Sequence, residues 1–224
     1  MNKQKNNSKL LKILKAIISK ILIAIFSMKL TFRSNQLRRS DYLKAKKLIE
    51  KGDLILVGDF KSVSGLFIGE FFTHTLLYIG KGKCIHAESK GVKKILFKDI
   101  FKKYDTFSIL RPDIEKDRDK VIAKTIRFAR RQLGKPYDLF LEGNNYGYFC
   151  TNLINCSFDY AGFDTGVGLK DVFNKESHSV SWRIKNTTRA DHFLRANFFK
   201  IFVSQSLRIS SRKMFFFKRH FLKL

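Results

Sequence analysis

From Tyr42 onward the apolar positions switch between helical and alternating periods, and the switches mark out elements. Ser40-Asp41 reads as a helix start, with Tyr42, Ala45, Leu48 and Ile49 forming a partly apolar face over Tyr42–Lys51. Leu54-Ile-Leu-Val57 is a short apolar run after Gly52-Asp53, as expected of a buried strand. Thr73–Ile79 and Cys84–Glu88 flank Gly80-Lys-Gly-Lys83, which predicts a hairpin because glycine tolerates positive φ. Val92–Phe97 and Thr106–Arg111 predict further strands around a short helix at Lys98–Lys103, with Pro112 as a stop. Val121, Ile122, Thr125, Phe128, Ala129 and Leu133 recur at three and four, so Asp117–Leu133 predicts a long helix. Gly134-Lys-Pro-Tyr-Asp138 breaks it, and Cys150–Ala161 predicts another, closed by Gly162. Strands cluster early and the main helices late, which is an α+β arrangement.

The two ends follow a different pattern. Lys9, Lys12, Lys15 and Lys20 recur among Leu and Ile, and the run ends in the apolar stretch Ile21–Phe26. At the other end, Phe and Leu alternate with Lys and Arg over Phe193–Val203 and Met214–Leu224. Charge sharpens the division. Of 45 Lys+Arg, ten lie in residues 1–40 and eight in 193–224, where there is no acid; all 19 acids lie in 41–192. The net +26 therefore belongs mostly to the ends. Three regions result: a basic apolar N-terminal segment 1–40, a catalytic-domain candidate 41–192, and a basic aromatic extension 193–224. Lysines interrupt residues 10–32 too often for a spanning helix, and a helix lying in a membrane surface fits better. The alternatives are a signal or signal-anchor, and a helix packed on the protein itself. For 193–224 the alternative is a pair of core elements with basic outer faces. The expectation is membrane association through residues 9–32 and 193–224, on either the cytoplasmic or the exported side.

Apolar content of 44%, with 23 Phe, excludes a disordered basic tail protein. The chain has no Gly-rich phosphate loop, zinc finger or RNA-binding aromatic motif, which disfavours nucleic acid as the partner. Three cysteines make no disulfide framework, and none has zinc-site spacing. No metal or organic cofactor is implied.

The candidate chemistry lies in the thiols and imidazoles. Cys150 falls in the first turn of a predicted helix, where free N–H groups and the helix dipole favour a thiolate. Cys156 lies on another face of that helix and reads as a small core residue; Cys84 begins a strand with no activating neighbour. A thiolate nucleophile needs a base, and the base needs an orienting group. His74 and His86 fall on the two arms of the hairpin, within reach of each other, and Glu88 shares the face of His86. His178, His192 and His220 have poorer settings.

These residues resemble a known group. Gly52-Asp-Leu-Ile, Thr73-His-Thr-Leu-Leu-Tyr-Ile-Gly80 and Ile85-His-Ala87 look like the first half of circularly permuted papain-like hydrolases. Gly134-Lys-Pro-Tyr-Asp138 and Tyr148-Phe-Cys-Thr-Asn-Leu153 look like the second. These are the permuted NlpC-type enzymes, with a YiiX-like branch and a lecithin–retinol acyltransferase branch. In that group the histidine precedes the cysteine, as here, and the resemblance covers roughly residues 51–165. It implies an antiparallel sheet packed against a helix that carries the nucleophile at its N-terminus. It implies Cys150 as nucleophile, His74 as base, and His86 as the residue orienting His74, with Glu88 as an alternative orienter. Tyr137 would line the pocket or serve as a core tyrosine. The implied activity is a thiol hydrolase or acyltransferase acting on a cell-wall peptide or an acyl lipid; the alternative is a catalytically silent, membrane-bound binding protein of this fold. Two positions after the cysteine the group commonly carries an acidic or amide-bearing residue, often Glu, and here it is Asn152.

Overall fold

The computed structural model describes residues 36–61, 71–139, 141, 146–167 and 188–206, with Ile18 and Ile21. The rest of residues 1–35, and 207–224 with His178 and His220, lie outside the described residues.

Among the described residues, six strands form one antiparallel sheet in the order β4-β3-β2-β1-β5-β6. They are β1 (Leu54–Gly58), β2 (His74–Gly80), β3 (Lys83–Glu88), β4 (Gly91–Leu96), β5 (Thr106–Pro112) and β6 (Phe198–Val203). The helices are α1 (Arg39–Leu48), α2 (Phe97–Lys103), α3 (Arg118–Arg131) and α4 (Cys150–Tyr160). The α+β architecture expected from the pattern is the one observed.

Period two sorts the strand side chains into two cores. Leu54, Leu56, Leu77, Ile79, Ile85 and Ala87 pack against Ile122 and Ile126 of α3 and Leu153, Ile154 and Phe158 of α4. Ile55, Val57, Leu76 and Cys84 point the other way, against Ala45 of α1 and Phe97, Ile100 and Phe101 of α2. Every residue of β1 is buried, which explains its continuous apolar run. Buried Asp53 anchors the start of β1 through two 3.0 Å hydrogen bonds from Arg111 of β5. The expected helix at Tyr42–Lys51 begins three residues earlier. Asp41 accepts the Arg38 N–H at 2.9 Å, so it caps from inside the first turn and Ser40 is already helical.

Charge sets residues 193–206 apart with the C-terminal extension, yet Phe198–Val203 is a strand of the sheet. β6 pairs with β5, Phe193 and Phe198 are buried, and Phe198 packs edge-on against Phe158 and Phe163. The charges mislead because Arg195 and Lys200 occupy exposed positions between these anchors. The core-packing alternative is thus what this stretch adopts. Among the described residues, no helix is long and apolar enough to cross a membrane.

Candidate active site

β2 and β3 bring the two histidines together. His74 Nε2 and His86 Nδ1 are 2.8 Å apart, with the rings tilted at 72°. His86 is fully buried. Burial holds His74 well below the usual imidazole range, and the neighbouring His86 adds to the effect. Burial also lowers His86, to about 4; Glu88 opposes this, while Lys103 and Lys93 reinforce it. Both rings are therefore neutral near pH 7, and one proton lies between them.

Glu88 shares the face of His86, as the alternation predicts. Its carboxylate Oε2 is 3.8 Å from His86 Nδ1, but Lys93 and Lys103 both bind that carboxylate directly. Burial alone would raise Glu88; hydrogen bonds from Lys103 and Lys93 outweigh it and bring the group to about 2. Its charge is held by two ammonium groups rather than by the imidazole.

Cys150 is the first residue of α4, with Phe149 at the N-cap in extended conformation. The approach to it is fixed by the Gly134–Asp138 run. Asp138 N–H donates to Tyr148 O at 3.2 Å and Tyr148 N–H donates to Pro136 O at 3.1 Å. Gly147 is needed there, because a Cβ would lie 2.8 Å from Pro136 O. The same run holds β4: Val92 N–H donates to Lys135 O at 2.9 Å, and Gly91, at φ +92°, leaves room for that carbonyl.

The cysteine is half-buried, and its sulfur meets β2 at Thr75. Burial raises the thiol above its ordinary value. The Thr75 backbone and hydroxyl, and the N–H groups of Thr151 and Cys150, pull it back. The helix start thus supplies the expected stabilisation, but desolvation outweighs it, so the resting group is a thiol. The Thr75 hydroxyl is buried with no partner of strict hydrogen-bond geometry, and it favours the sulfur's anion as a loose donor.

Thr75 and His74 are adjacent and face opposite sides of the sheet, Thr75 towards α4 and His74 towards α2. Through Thr75 the sulfur lies one residue along β2 from the imidazole of His74. Among the described residues no hydrogen bond joins them; such contacts commonly tighten when substrate is bound. Tyr104, at the end of α2, lies against both. Its ring stacks on His74 at 6.0 Å and 19°, and its hydroxyl lies within electrostatic reach of Cys150. Burial, with Cys150 nearby, likewise raises Tyr137, which packs beside the α3/α4 core. No sequence pattern points to Tyr104 or Thr75. Thr75 adjoins His74 in the chain, but nothing local marks Tyr104, which lies 30 positions from His74.

The other candidates lie elsewhere. Cys84 is fully buried and burial pushes its thiol far up. Cys156 is raised to about 11, chiefly by burial. Asn152 Nδ2 donates to Cys156 Sγ at 3.5 Å, so the departure at this position has a structural contact. His192 is exposed and accepts the Arg189 N–H at 3.5 Å.

Residues 48–202 match the profile of the permuted papain-like amidase family that includes YaeF and YiiX, the C92 peptidases. A crystal structure described as the metalloprotein YiiX from Escherichia coli O157:H7 is similar in fold, with a TM-score of 0.55 and 18% identity. The similarity covers 69% of this chain and 97% of that one. No curated protein matches the sequence. Among the described residues of this chain, no three His, Cys, Asp or Glu are grouped as a metal ion needs, and the two site histidines face each other. The described donors therefore do not fit a metal.

Proposed function

The chain belongs to the permuted papain-like amidase family, and from that premise we propose that it cleaves an amide through an acyl-thioester on Cys150. What supports this reading is the pairing of His74 with His86, together with the contact of Cys150 with Thr75, the next residue of β2. With His74 Nε2 engaged by His86, Nδ1 is the nitrogen left to exchange a proton with the thiol. That requires His74 Nε2–H to donate to His86 Nδ1, and His86 then carries its own proton on Nε2. The Nε2 atom is buried without a partner. An ionised Glu88 beside Nδ1 would draw the proton to the wrong nitrogen; Lys93 and Lys103 reduce that pull by holding the carboxylate.

The steps follow from these positions. His74 Nδ1 accepts the thiol proton as Sγ bonds to the carbonyl carbon, and the oxyanion faces the Cys150 backbone N–H at the start of α4. The imidazolium returns the proton to the leaving nitrogen as the C–N bond breaks. Water, deprotonated by His74, then cleaves the thioester and releases the acid. A second acceptor, such as an alcohol or amine, in place of water would make the enzyme an acyltransferase. The acyl group is proposed to come from a peptide or an acyl lipid. A substrate panel tests the whole assignment. Peptide amides and acyl amides should leave a mass adduct on Cys150, and iodoacetamide should label the same residue near neutral pH. Labelling that survives Cys150→Ala and disappears with Cys84→Ala overturns the assignment. Stable binding of the panel with no adduct favours the silent binding protein.

A further inference from the structure

The two basic ends leave the folded domain at the same place, and that place is the end of the sheet carrying the thiol and imidazoles. Gln36, the first residue of the continuous domain, donates its N–H to Asp105 at 3.3 Å, and Asp105 follows Tyr104, the residue stacked on His74. At the other end of the chain, Ser204 N–H donates to Phe107 O at 2.9 Å, two residues beyond Asp105. Gln205 N–H donates to Asp41 in the first turn of α1 at 3.3 Å. Residues 1–35 carry eight Lys/Arg and 207–224 carry six, with no acid in either. Both segments therefore attach beside the candidate site.

The surface at these exits has matching chemistry. Arg38 is exposed just before α1 and Arg39 and Lys44 are exposed on it, and Leu43 and Val203 present 48% and 42% of their surface. Ile18 and Ile21, three apart in helical backbone, are exposed as well, so the protein leaves those apolar side chains uncovered. Apolar side chains set among cations, with excess positive charge on both flanking segments, complement an anionic lipid surface. Nucleic acid would match the charge but not the aliphatic side chains.

We propose that the sheet end formed by the start of α1, the end of β6 and the start of β2 docks on an anionic lipid surface, with the Cys150 site held at that surface. The proposal needs no catalysis, so it can fail while the amidase reading stands, and the reverse.

The test uses the full chain with Trp182→Phe as background and one tryptophan returned at a chosen place. Leu43→Trp and Val203→Trp mark the proposed face; Lys83→Trp marks the hairpin turn at the far end of β2, about 20 Å away. Vesicles of phosphatidylcholine with about one-third phosphatidylserine, carrying brominated acyl chains, serve as quencher. The expected result is binding that weakens roughly tenfold or more when salt is raised from physiological to several-fold higher. Quenching of about twofold is expected at positions 43 and 203, with little at 83. Equal quenching at all three positions, or none on bound protein, overturns the docking face. Failure to bind these vesicles, or tighter retention on RNA at the same salt, overturns the lipid as partner.

Discussion

The two faces of the sheet treat their reactive groups in opposite ways. On the α2 face the polar groups are locked to one another: His74 to His86, and Glu88 to Lys93 and Lys103. On the α4 face Cys150 stands desolvated at a helix start, with Thr75 and two backbone N–H groups favouring its anion. One side holds a base neutral and oriented, and the other holds a thiol that burial keeps protonated. Neither half is an ion pair at rest, so proton transfer must accompany attack. β2 opens with one residue for each face, His74 and then Thr75, and this lets a single strand serve both.

The largest effect that sharpens this contrast is on the α2 face. His74→Ala should lower turnover of a reactive amide by about 10²–10⁴-fold, the ordinary range for losing a general base. His86→Ala should cost about tenfold to a hundredfold. It leaves a buried His74 nitrogen unpaired, at about 1–3 kcal/mol, and each tenfold is 1.36 kcal/mol. Glu88→Gln should cost less than either. Steady-state kinetics on folded variants gives the ranking. A Glu88→Gln defect larger than that of His86→Ala would make the carboxylate the orienter and reverse the assignment on this face.

How far this was legible in the sequence differs between the faces. The hairpin, the twelve-residue step between His74 and His86, and a cysteine opening a helix are local patterns, and each falls where the period of apolar residues puts it. The contacts that tune them are not local. Tyr104 reaches His74 through stacking across 30 positions, and Lys103 reaches Glu88 from a helix that follows the next strand. Such contacts exist only once β2, β3 and α2 are assembled. β6 was obscured for another reason: Arg195 and Lys200 raise the charge of a segment whose buried members are Phe193 and Phe198. Counting charge averages over faces that the fold keeps apart.

A stability measurement separates the faces by pH. The folded-state value of His86 is depressed to about 4 from the ordinary 6.5, so the unfolded chain binds the extra proton between those values. Stability is then fully present above about pH 6.5 and falls as pH drops towards 4, by an amount on the order of a few kcal/mol; His74 acts in the same direction. Glu88, depressed to about 2 from 4.5, adds a second loss between those values. Urea unfolding at pH 7.5, 6 and 4.5 should show the first loss, and His86→Ala should flatten it. An unchanged slope in His86→Ala would place the acid sensitivity elsewhere.

The smallest expected effect is on the α4 face, at Thr75. Thr75→Val keeps the shape of the side chain and removes the hydroxyl, while the backbone N–H stays in place. If the hydroxyl helps the sulfur ionise, alkylation of Cys150 at fixed pH should slow by about threefold to tenfold, the worth of one modest hydrogen bond. The pH midpoint of labelling should rise with it. Stability gives the opposite reading of the same atom. The Thr75 hydroxyl is buried without an ordinary hydrogen-bond partner, so removing it should leave unfolding unchanged or make the protein slightly more stable. A group that costs stability where it sits, yet speeds the chemistry of its neighbour, is positioned for the sulfur. Loss of stability with unchanged labelling would show instead that Thr75 belongs to the packing of β2.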